Sequence, residues 1–155
     1  MRNVVFFLIT LLVAATDQIS KLWIRSNLTV GESLLGRGFF RLTRVHNTGA
    51  AFGLFYDQSF ALAIVASVGV VILLIYALFL RQRFPILDNR LGNSALGLML
   101  GGTIGNLTDR LRFGYVTDFI DIGVWPTFNI ADSVIVVGVI IVAYSLFPLA
   151  RAGKH

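Results

Sequence analysis

The sequence contains no cysteine, which removes disulfides, thiolate catalysis and cysteine-based zinc sites. It has only two histidines, His46 and His155, too few for a histidine-rich metal centre or an H-E-x-x-H metallopeptidase. Charge is sparse as well: 14% of the 155 residues are Asp, Glu, Lys or Arg, against about a quarter in soluble domains. No cofactor is expected, and any chemistry must come from oxygen and nitrogen side chains of a mostly apolar chain.

Apolar residues make up 56% of the sequence and the mean hydropathy is +0.80, so there is little polar surface to offer water. A single domain spanning 1–155 is the natural reading of the length. Net charge is +5. The thirteen Lys and Arg lie scattered between apolar runs with no basic cluster interleaved with aromatics. Nucleic-acid binding is therefore not expected, and loop charges near membrane lipid head groups explain the basic balance more simply.

Four stretches, at about 4–24, 60–80, 91–108 and 130–149, have the apolar character and approximate length of membrane-crossing helices. Between the first two lies a segment of about 26–58, the candidate extramembrane subdomain. There Phe40 and Leu42 alternate weakly with Arg41 and Thr43, hinting at short strands. In the third stretch Gly97, Gly101 and Gly105 repeat at four-residue spacing, which lets helix backbones approach closely and points to a central packing helix. Arg2, an apolar run and Ala14-Ala15 also fit a cleaved leader. Against that, Asp17 and Lys21 stand four apart on one helical face, where they can pair as an inward-turned helix end requires. Short, basic segments at the termini and around 81–90 favour termini inside by charge density, although the raw count of positives does not.

Two of the eight acids sit where a membrane protein spares few. Asp118 lies in the apolar setting Val116-Thr117-Asp118-Phe119-Ile120, and Asp132 in the first turn of the last helix. One reading is structural: Asn129 caps that helix with Asp132 completing a capping box, while Asp118 caps a short helix with Asp121 behind it. The other takes the two acids together. Two carboxyls close together in a low-dielectric site share one proton, so one can activate water while the other protonates the scissile group. Sequence spacing leaves both open.

The chain resembles the lipoprotein signal peptidase family, also called signal peptidase II. The resemblance rests on five blocks in order: Asp17-Gln18-Ile19-Ser20-Lys21, Asn47-Thr48-Gly49-Ala50-Ala51-Phe52-Gly53, Gly101 to Arg110, Val116-Thr117-Asp118-Phe119 and Phe128-Asn129-Ile130-Ala131-Asp132-Ser133. It implies a membrane all-α fold of four transmembrane helices, with a small extracytoplasmic β-rich cradle after the first. It also implies a multi-pass protein of the bacterial cytoplasmic membrane, both termini cytoplasmic and the site near the extracytoplasmic face. The implied catalytic residues are Asp118 and Asp132. Asn47, Gly49, Asn106, Arg110 and Asn129 would bind substrate or support the dyad, while Asp17, Lys21 and Asp109 would be structural polar groups. Arg110 could instead pair with Asp109. The implied partners are prolipoproteins with a lipobox and a diacylglyceryl cysteine, cut just before that cysteine, and cyclic peptide inhibitors of the globomycin type.

Two rival classes fit the residues less well. A small transporter would use Asp118 and Asp132 as an ion relay and would spread acids along a pathway, whereas here they gather towards one membrane face. A Ser-Lys peptidase would use Ser133 or Ser20 with Lys21, but Ser20 and Lys21 are adjacent on a helix and do not face each other.

Overall fold

The computed structural model describes residues 2–34, 39–49, 57–81, 83 and 85–152. Ala50-Ala51-Phe52-Gly53, the end of the second block, lies outside them. Four long helices dominate: α1 (Arg2–Asn27), α2 (Ser59–Ile75, continued by a π-helical turn at Tyr76–Leu80), α3 (Arg90–Phe113) and α4 (Ile130–Ala152). Helix α1 runs unbroken through Ala14-Ala15.

Among the described residues, three helices are long and apolar enough to cross a membrane: Asn3–Asn27, Ser59–Leu80 and Ile130–Phe147. The fourth expected crossing, in α3, does not reach that level of apolarity. The physical reason is its position. Helix α3 packs against α1, α2 and α4, and its buried residues include Asn93, Asn106, Asp109 and five glycines. A helix shielded by its neighbours needs small residues for close approach more than it needs an apolar rim. A Cβ at Gly101 would come within 2.7 Å of the Thr10 carbonyl on α1, and one at Gly102 within 2.7 Å of the Ala131 carbonyl on α4. Consecutive glycines thus seat two different helices. Helix α3 also runs past the expected end near 108, because Gly114 (φ 76°) supplies the left-handed stop where Leu, Thr, Asp and Arg do not.

The fold is not all-helical outside the membrane stretches. A three-stranded antiparallel sheet orders β1 (Ser33–Leu34), β2 (Arg41–Asn47) and β3 (Val116–Asp121) side by side. The expected cradle after the first helix supplies only two strands. The third comes from 116–121, which corrects the reading of Asp118 as the cap of a short helix. Val116, Phe119 and Ile120 favour a pleated, half-buried strand, and β2 offers a free edge to pair with it. Phe128 then bridges back to Ile120, so the chain re-enters α4 directly from the sheet.

Several arginines at the end of α1 and on β2 are committed to this architecture. Arg44 donates to the carbonyls of Arg25 (3.1 Å) and Leu28 (2.8 Å) at the carboxyl end of α1. Arg41 pairs with Asp121 at 2.8 Å, and Arg25 with Asp109 at 3.2 Å. These arginines are engaged in structural pairing, so their number carries little information on which side of the membrane they lie.

Candidate active site

Antiparallel pairing brings the first acid and its partner together. The register sets Val45 opposite Asp118 and Asn47 opposite Val116, so Asn47 and Asp118 are diagonal neighbours on one face of the sheet. Asn47 Nδ2 donates to Asp118 Oδ2 at 2.8 Å, and the Gly49 N–H donates to Asn47 Oδ1 at 2.9 Å, which fixes the amide's orientation. Asp121, three residues on, falls on the opposite face and pairs with Arg41.

The second acid comes from the first turn of α4. Asn129 is that helix's cap: its Oδ1 accepts the Asp132 N–H at 2.9 Å, and Asp132 Oδ2 accepts the Asn129 N–H at 3.3 Å. The same Asn129 turns its Nδ2 to Asp118 Oδ1 at 2.7 Å and to Asn106 Oδ1 at 3.1 Å. Asn106 in turn donates from Nδ2 to Asp132 Oδ1 at 2.7 Å. One asparagine therefore touches both acids, and a second closes the ring. The structural reading of Asp132 does not exclude the chemical one: the capping residue also lines the cavity.

Asn47, Gly49, Asn106, Arg110, Asp118 and Asp132 line one open cavity of about 500 Å³. Asn129 is fully buried and holds the acids without lining it. Burial, then the nearby Asp132 charge, pushes Asp118 up to about 7. His46 also lines the cavity and stacks on Tyr115 with ring centroids 3.6 Å apart. Burial, then the Arg44 and Arg25 charges, lowers His46 below its usual value.

Arg110 and Asp109 do not pair. As adjacent helix residues they point apart: Arg110 Nη2 donates to the Gly49 carbonyl at 3.3 Å on the cavity side, while Asp109 is fully buried against α1 and β3. Arg110 Nε has no hydrogen-bond partner among the described residues. Asp17, Lys21 and Asp109 do not line the cavity. Lys21 pairs with Asp17 at 2.8 Å, both fully buried. Sequence reasoning gave no role to Gln18 or Arg25, which reach Asp109 from α1 at 3.2 Å each. The signal was present: Asp17, Lys21 and Arg25 repeat at four-residue spacing.

The serine alternatives have no nucleophile–base pair. Ser20 Oγ donates to the Asp17 carbonyl and Ser133 Oγ to the Asn129 carbonyl, while Lys21 is engaged by Asp17 and Asn106.

A family profile described as signal peptidase (SPase) II matches residues 9–148. A lipoprotein signal peptidase of Dehalococcoides mccartyi is 53% identical over 139 residues, covering 90% of this chain and 86% of the relative. That of Moorella thermoacetica is 48% identical over 152 residues, covering 97% and 98%. A bacterial membrane enzyme solved by the in meso method at 2.3 Å resolution superposes with a TM-score of 0.80 at 28% identity, over 96% of this chain and 89% of that one.

Proposed function

From the premise that this chain belongs to the signal peptidase II family, we propose that it is an aspartyl endopeptidase removing signal peptides from diacylglyceryl-modified prolipoproteins. The observation that carries the aspartyl assignment is the convergence of Asp118 and Asp132 on one cavity, bridged by Asn129. Asp118, pushed up to about 7, keeps a proton near neutrality and is assigned as the acid. Asp132, served by the Asn106 amide and the Asn129 N–H at a helix N-terminus, is assigned as the base. Asp132 takes a proton from water, whose oxygen attacks the carbonyl preceding the lipidated cysteine. Asp118 gives its proton to the developing oxyanion, and the amine leaves with a proton returned by the dyad.

Arg110, which lines the cavity and donates to the Gly49 carbonyl, is assigned to the substrate backbone, and Asn47 to Asp118. The protein is read as multi-pass in the bacterial cytoplasmic membrane, with α3 as the fourth crossing and both termini cytoplasmic. The sheet and site then lie at the extracytoplasmic face. A lipid-anchored substrate reaches such a site by lateral diffusion, its acyl chains staying in lipid while the scissile bond meets the acids. Cyclic peptides of the globomycin type are expected to occupy the same cavity.

The test is cleavage of a diacylglyceryl-modified prolipoprotein by purified wild type, D118N, D132N and D121N, all equally monodisperse in detergent. Loss of roughly 10³-fold or more in the first two variants alone supports the dyad. Cleavage surviving in either would discard it.

A further inference from the structure

We infer that the buried Asp17–Lys21–Asp109 cluster is a positioning device that sets the relation between Asp118 and Asp132, beyond pinning α1 to α3. The inference rests on the reading of those two acids as the reacting pair. Its basis is a repeated contact. Asp17 Oδ1 accepts the N–H of Ala131 at 3.0 Å, and Ala131 immediately precedes Asp132. Asp109 Oδ2 accepts the N–H of Thr117 at 2.9 Å, and Thr117 immediately precedes Asp118. Each acid of the cluster thus holds the peptide N–H of the residue just before one of the pair.

Lys21 joins the two holds. Its Nζ lies 2.8 Å from Asp17 Oδ2 and 3.6 Å from Asp109 Oδ2, with all three side chains fully buried. It also donates to Asn106 Oδ1 at 2.8 Å. With Asn129 donating to that same oxygen, the Asn106 amide nitrogen is left facing Asp132. One ammonium therefore reaches Asp132 by two routes and Asp118 by a third.

Pinning α1 to α3 does not call for this arrangement. Arg25 and Gln18 already tie α1 to Asp109, Gln18 also donates to the Gly105 carbonyl, and the Gly101 seam packs the backbones. What those contacts leave unset is the placement of β3 against the start of α4. Among the described residues, backbone pairing between β3 and the approach to α4 is confined to Phe128 against Phe119 and Ile120. Lys21 and Arg25 balance the two buried carboxylates, so the cluster is held at a fixed geometry by charge-assisted bonds, not by packing alone. Lys21, Asp17 and Asp109 are positioning residues, since none lines the cavity.

The experiment combines steady-state cleavage of a diacylglyceryl-modified prolipoprotein with amide hydrogen exchange in detergent for Lys21→Met, Asp17→Asn and Asp109→Asn. Lys21→Met is expected to lower kcat by roughly 10²-fold, the scale of a misplacement of about 1 Å. KM should stay nearly unchanged, because the cavity wall is intact. Exchange should rise in both 116–119 and 130–133 for Lys21→Met, in 130–133 alone for Asp17→Asn, and in 116–119 alone for Asp109→Asn. Should Lys21→Met fail to fold, the two segment-selective asparagine variants carry the decision. Turnover within about twofold of wild type in Lys21→Met, or exchange rising uniformly over all helices in every variant, would overturn the positioning role. Exchange is read without reference to cleavage. Retained turnover in D118N or D132N would therefore remove the dyad while leaving the segment pattern to be judged separately.

Discussion

The side-chain carbonyl of Asn129 accepts the N–H of Asp132 at 2.9 Å, and the Asp132 carboxylate accepts the N–H of Asn129 at 3.3 Å. This reciprocal pair starts α4, and Asn129 spends its remaining donors on Asp118 and Asn106. Helix initiation and placement of the two acids are therefore one event. Asn129→Ser should separate them. A serine hydroxyl still caps the helix, so the melting temperature in detergent is expected to stay near wild type, whereas alanine should cost about 1 kcal/mol. Turnover should fall on the order of 10²-fold in both, because the amide that steadies Asp118 is gone. Full activity in Asn129→Ser would show that the amide is dispensable.

The alkaline limb of the cleavage profile should belong to Asp118. With Asp118 raised to about 7 and acting as the acid, kcat/KM should decline as pH rises through about 7, when the proton is lost. Asp132, Lys21 and Arg110 are the other charged groups around it. His46, held below its usual 6.5, is neutral at that pH, so the limb should persist in His46→Asn. A profile flat from pH 6 to 9 would contradict the assignment.

Stability should carry the same signature with a definite sign. Asp118 ionises at 3.8 in the unfolded chain and about 7 when folded, so the wild type loses stability as pH rises between those values, with little further change above the upper one. D118N removes the penalty. Its stability relative to wild type should grow from near zero at pH 4 to on the order of 4 kcal/mol at pH 8. Thermal melts in one detergent at the two pH values decide it, and a difference independent of pH would exclude the buried-acid explanation.

Gly102 and Gly69 offer a paired test of the helix packing. A Cβ at Gly102 meets the Ala131 carbonyl at 2.7 Å and Ile135 Cγ1 at 2.7 Å, whereas one at Gly69 on α2 meets nothing within 4 Å. Gly102→Val should displace α4, and with it Asp132, lowering both melting temperature and turnover; overpacking of this kind costs about 1–3 kcal/mol. Gly69→Val should leave both near wild type. Equal behaviour of the two variants would mean that α3 and α4 can separate without consequence.

Asp121 supplies the negative control. Its carboxylate pairs with Arg41 at 2.8 Å on the outer part of the sheet and accepts the Gly123 N–H at 2.8 Å. D121N should change stability by no more than about 1 kcal/mol, with the difference shrinking at high salt, and leave turnover within about twofold. A large loss of cleavage would bring Asp121 into the mechanism.

By itself the sequence determined the elements whose signals are local. Long apolar runs mark α1, α2 and α4 because lipid demands internally satisfied backbones, and the glycine spacing marks α3 because close approach demands small residues. The Asn129–Asp132 capping box and the Asp17–Lys21 pair were also legible, since three- and four-residue separations on a helix fix neighbours. What only the tertiary structure decided concerns residues far apart in the chain. That Val116–Asp121 is a strand depends on the edge that Arg41–Asn47 presents some seventy positions earlier. That Asp109 turns to Lys21 and Thr117, leaving Arg110 to the cavity, depends on where α1 crosses α3. The meeting of Asp118 with Asp132 depends on both. Periodicity tells a side chain which face of its own element it occupies; which partner waits there is set by the packing of the whole chain.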